Sequence, residues 1–150
     1  MSKKITKRSQ ETGIYLYVLE FKNGKFYVGI TKNPEMRIFA HKNELSNAFV
    51  KENLPIINVN MQLLHGIIRS KALWIENDKT IELILKYGIE RVCGGYIVGD
   101  LNSRKEKIQR FYNARKNKYK WHMEVYGNSI EFDVNKHPGI ESIVEMINKR

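Results

Sequence analysis

Five side chains are of types that can act on a phosphate ester: Tyr15, Tyr27, Arg37, His41 and Glu76. Hydrolysing a phosphodiester needs an activated water, a stabilised pentavalent phosphorane and a protonated or cation-bound leaving oxygen. A glutamate carboxylate offers oxygen to Mg²⁺, an ion that keeps several waters when few protein groups hold it. An arginine makes permanently charged, bidentate contacts to phosphate oxygens, which a lysine cannot reproduce. A tyrosine hydroxyl, with an ordinary pKa of about 10, can serve as a base only with help from neighbouring charge. Each residue also has a plainer use. Tyr15 or Tyr27 alone would be a strand packing residue. Arg37 and His41, four apart, would make a solvated helix face, and Glu76 would pair with Lys79 one turn on. Glu82 is a rival carboxylate six residues further along.

The elements that must position these groups are legible in part. Ile14 to Phe21 is dense in aromatic and β-branched residues and predicts a strand. Asn23-Gly24 follows, the strongest two-residue hairpin signal, and Phe26 to Thr31 is the returning strand. Asn33-Pro34 opens a helix to about Asn43, with Arg37 and His41 on one side. Glu44 to Val50 reads as a second short helix, and Ile56 to Leu64 as a third strand of the same sheet. Ser70 caps a helix from Lys71 to Tyr87, closed by Gly88, with Asn77-Asp78 as its weak point. Gly94-Gly95 breaks the chain before a basic helix from Asn102 to about Lys118. Trp121 to Val134 is a second hairpin or an irregular strand, and Pro138-Gly139 opens a last amphipathic helix.

The hairpin carries Gly13-Ile14-Tyr15 on one strand and Tyr27-Val28-Gly29 on the next, and the pair resembles the signature of the GIY-YIG nucleases, with Val28 in place of the isoleucine. The resemblance continues in ITKNPEMRIFAH, where Arg37 stands at the family's helical arginine and His41 at a position often histidine or tyrosine. Ala72 to Asn77 looks like the segment bearing the family's metal-binding glutamate, Glu76. KYGIERVCGG resembles a glycine-pair stretch in which an arginine often stands where this chain has Cys93. The similarity spans Gly13 to Gly95, and the last 55 residues match nothing nameable.

That resemblance implies an α+β fold, a small central antiparallel three-stranded sheet flanked by helices, with residues 12–100 as the nuclease core. It implies a DNA endonuclease dependent on Mg²⁺, with Mn²⁺ able to substitute. In it Tyr27, or else Tyr15 or His41, takes the water proton, the other tyrosine hydrogen-bonding within the site. Arg37 stabilises the phosphate, His41 positions water or relays a proton, and Glu76 holds the metal. The other reading is a nucleic-acid-binding module that keeps the scaffold without cutting. Restriction, homing and repair all use this catalytic unit, and homing relatives add recognition modules for which this chain has little room.

Composition supports a polyanionic partner: the formal net charge is +10. Arg104 to Lys120 holds eight basic residues (Arg104, Lys105, Lys107, Arg110, Arg115, Lys116, Lys118 and Lys120) against Glu106 alone. This run, with Lys32 nearer the site, is expected to track phosphates of duplex or branched DNA, giving salt-dependent affinity and little sequence preference. Residues 1–11 form a flexible basic arm, and 101–150 an extension packed on the same domain. One cysteine excludes a disulfide framework within the chain. A reducing compartment, cytoplasmic or nuclear, is the expectation, with no secretion and no membrane partner. A homodimer is one route to double-strand cleavage.

Overall fold

The computed structural model describes residues 13–43, 45–67, 69–113 and 139–148. The hairpin forms as expected from strands β1 (Gly13–Phe21) and β2 (Phe26–Thr31), paired from Tyr15 opposite Thr31 to Glu20 opposite Phe26. Gly24 turns the loop at φ +84, a conformation an L side chain rarely adopts. Strand β3 (Ile56–His65) adds to the other side of β1, also antiparallel. The sheet has a fourth member that the sequence reading lacks: β4 (Val92–Gly94) runs parallel to β2, and the order is β3-β1-β2-β4. Among the described residues the expected three-stranded antiparallel sheet is thus a mixed four-stranded one. A three-residue strand is too short to display a period of two, so nothing local announces it.

Alternation along β1 sends Ile14, Leu16 and Val18 to one face, and Tyr15, Tyr17, Leu19 and Phe21 to the other. The first face packs on helix α3 (Arg69–Tyr87), α4 (Leu101–Asn113) and α5 (Ile140–Asn148), through Ala72, Ile81, Ile84, Ile108, Phe111 and Ile143. The second packs on α1 (Pro34–Lys42) and α2 (Ala48–Asn53), through Ile38, Phe49 and Val50. Both faces of the sheet are therefore covered. Truncating a fully enclosed side chain such as Ile81 to alanine costs about 2–5 kcal/mol.

Helix α3 runs unbroken through Asn77-Asp78, and Ser70 lies buried inside its first turn instead of capping it. Asn77 does not weaken the helix because its side chain has a partner: Oδ1 accepts the Tyr96 N–H at 2.7 Å. The basic helix starts one residue early at Leu101, and the Asp100 carboxylate accepts the Ser103 N–H at its N-terminus. Its expected continuation to Lys118, the second hairpin and the basic arm lie outside the described residues.

Candidate active site

On β1 the residue that meets the histidine is Tyr17, not Tyr15. The Tyr17 hydroxyl lies 2.8 Å from His41 Nε2, and the rings of Tyr17, Tyr27 and His41 stand 5.5–6.3 Å apart pairwise. Tyr15 shares the face but sits one pleat repeat away, opposite Thr31, with no hydrogen bond or ring contact to this group. The Tyr-Leu-Tyr triplet places two tyrosines at period two on one face, and only Tyr17 is in contact with His41. Tyr17 faces Gly29 across the ladder. A Cβ on Gly29 would come within 2.4 Å of the Tyr17 hydroxyl, so glycine is what lets the ring lie flat across β2.

His41 is 1% exposed, and burial, then the Arg37 charge, holds its pKa down at about 4. At neutral pH the imidazole is uncharged, donating at one nitrogen and accepting at the other. Its Nδ1 meets the Ser46 hydroxyl, which completes a Tyr17–His41–Ser46 chain. Burial also pushes Tyr27 up to about 12, with the Cys93 and Glu76 charges adding to the rise. Arg37 and a hydrogen bond from Asn47 pull the other way. Asn47 has a second task, since its Oδ1 caps α2 by accepting the Val50 N–H at 3.0 Å. Tyr17 is raised further still, burial again being the main cause. Neither Ser46 nor Asn47 was foreseen, because a loop residue before a short helix carries no periodic signal.

Glu76 reaches the group from the far side of the sheet. β4 covers β2 only as far as Val28, and beyond it the Ile30 N–H donates to the Glu76 carboxylate. Gly94 permits the close approach of β4, as a Cβ there would lie 2.5 Å from the Val28 carbonyl oxygen. The chain then turns away at Gly95 (φ +54), pinned by Asn77, and leaves that edge to the carboxylate. Glu76 is 9% exposed, and desolvation lifts its pKa to about 7 against the pull of Arg69, the Ile30 amide and Arg37. Arg37 itself is solvent-facing on α1, near enough for its charge to act on both tyrosines, His41 and Glu76.

Residues 13–86 match the family model of the GIY-YIG catalytic domain. The chain belongs to the GIY-YIG nuclease superfamily. Comparison with curated proteins and with solved structures returns no match.

GIY-YIG nucleases are generally dependent on a divalent metal, and the donor set here fits one kind of ion. Among the described residues no three His, Cys, Asp or Glu side chains gather to hold a metal. What the GIY-YIG domain offers is one buried carboxylate, strongly desolvated, beside neutral hydroxyls. That suits a hard, largely hydrated cation such as Mg²⁺ and does not suit a multi-ligand zinc site. The rival Glu82 points to solvent, its side chain 62% exposed, and it takes Lys79 in a 2.7 Å ion pair. Lys79 is therefore not the partner of Glu76.

Arg104 on α4 sits differently from the expectation of a phosphate-tracking residue. Arg104 is 5% exposed, and its guanidinium donates to the carbonyls of Gly99, Ile89 and Glu90. Lys107 bonds the Val98 carbonyl and stands over the Tyr96 ring, while Arg110 donates to the Tyr96 hydroxyl. These three brace the Gly95–Asp100 connection from behind. Lys105 is half-buried and Lys32 is exposed. Arg115, Lys116, Lys118 and Lys120 lie outside the described residues.

Proposed function

We propose that this protein is a divalent-metal-dependent endonuclease that hydrolyses phosphodiester bonds in DNA. The observation that carries the reading is the convergence of Tyr17, Tyr27, His41, Arg37 and Glu76, from four elements, about β2. Arg37, exposed and permanently charged, receives the scissile phosphate. Tyr27, less buried than Tyr17, takes the proton from water. Its high pKa means that it does so only when positive charge, such as that of Arg37, is brought beside it; a cation held by Glu76 would add to that charge. Such a cation, when bound, supplies Lewis-acid polarisation of the phosphate and stabilises the leaving oxygen. Tyr17 takes the place assigned from the sequence to Tyr15, held by the neutral His41 so that its hydroxyl keeps one orientation.

Supercoiled plasmid incubated with Mg²⁺ or Mn²⁺ tests this. Nicking is expected from the natural chain, and Glu76→Gln and Arg37→Ala are each expected to lose at least about 10²-fold in rate while still binding DNA. Unchanged cutting by Glu76→Gln would reject the site. Absence of nicking at every protein level would leave a nucleic-acid-binding module in its place.

A further inference from the structure

Tyr27 is shared between the catalytic group and a second feature, a cleft of about 730 Å³ between α2 and the β4–α4 connection. That volume admits a nucleoside. Phe49 and Asn47 form one wall, and Val98 to Asp100 the other, with Arg104 among the lining residues. The Arg104 guanidinium lies 5.4 Å from the centre of the Phe49 ring. Its η nitrogens bond backbone carbonyls, but its Nε is buried with no hydrogen-bond partner. An orphaned donor in so enclosed a place is costly, and a ligand with an acceptor group would satisfy it.

Charge decides what class of group enters. Against Lys25 and the committed Arg104, the cleft carries three carboxylates, from Glu52, Glu90 and Asp100. A phosphate would meet repulsion there. A flat, uncharged ring with amino groups would meet an aromatic face and carboxylate acceptors. We infer that this cleft receives the nucleobase beside the scissile phosphate and favours bases with an exocyclic amino group, adenine and cytosine. The inference rests on the nuclease reading and refines it. A base can enter only if it leaves its stack, which is cheapest in single strands, flaps and mismatches. The substrate class is then DNA with an unpaired nucleotide at the cut, in preference to perfect duplex.

Uncharged nucleosides probe the cleft without any cleavage. The ¹⁵N-labelled full chain, metal-free, is titrated with adenosine, cytidine, uridine and inorganic phosphate. Amide shifts are expected at Val98 to Leu101 and in the Asn47 side chain, with cytidine bound about tenfold more tightly than uridine. Glu52→Gln, an exposed and structurally mild change, is expected to shrink that ratio at least threefold. No shifts at millimolar nucleoside, equal affinity for cytidine and uridine, or the same shifts from phosphate alone would overturn the inference. A parallel assay compares cutting of perfect and single-mismatch duplexes. Faster cutting of the perfect duplex would also overturn it, whereas failure to cut any DNA would reject the nuclease reading and leave the nucleoside result standing.

Discussion

At the scale of single residues the site depends on which tyrosine of β1 meets His41. Tyr17→Phe removes a hydroxyl buried against His41 Nε2 and leaves that nitrogen unpaired, a cost of about 1–3 kcal/mol in stability. Cleavage is expected to fall at least tenfold in Tyr17→Phe and to stay within threefold in Tyr15→Phe. Plasmid nicking by the two variants, side by side, checks the assignment, and the reverse ranking would restore Tyr15. Glu76 allows a second prediction. Its folded pKa of about 7 lies above the ordinary carboxylate value of 4.5. Below pH 4.5 the group is protonated folded or unfolded, and burial costs nothing. As pH rises from 4.5 to 7 the unfolded chain gives up that proton first, so stability falls through this window. In chelator, Tm of Glu76→Gln is expected to exceed that of the natural chain by several degrees at pH 8 and to match it at pH 4.5. His41, lowered to about 4, acts in the opposite sense over pH 4–6.5, and the difference between the two proteins cancels it.

At the scale of elements, the half-length partner strand is what opens the site. Because β4 ends at Gly94, the Ile30 amide remains for Glu76. Gly94→Ala would push a Cβ against the Val28 backbone oxygen, with no flexible atom to yield. A loss of about 1–3 kcal/mol is expected from such overpacking, together with loss of cleavage, measured by urea unfolding and nicking. The brace behind this strand makes a separate prediction. Arg104→Met leaves three carbonyls without their donor, and a loss of about 2–4 kcal/mol is expected. Its effect on the salt dependence of DNA binding should be negligible, since a guanidinium so deeply placed is not a phosphate contact.

At the scale of the whole molecule, the net charge of +10 leads to the expectation that DNA affinity falls with salt. The burial of Arg104 moves its expected phosphate contact to the more exposed basic residues. Replacing Arg115, Lys116, Lys118 and Lys120 together by glutamine should reduce the slope of log affinity against log salt by about 3–4 if all four touch phosphates. Fluorescence anisotropy across a salt series measures it, and an unchanged slope would remove this run from the interface.

The sequence by itself determined the hairpin, the helix bearing Arg37 and His41, the helix bearing Glu76 and the family, because each is written in neighbouring residues. Asn-Gly demands its turn, and a period of two or four sets a face. It also held Tyr17 in plain view, but two tyrosines on one strand face differ only in what lies across from them. That choice belongs to the tertiary structure, where Gly29 makes room for one ring and α1 brings His41 to it. The same is true of β4, of Asn47 beside Tyr27, and of the buried Arg104. Each is defined by a partner distant in the chain, and no local pattern encodes a contact of that kind.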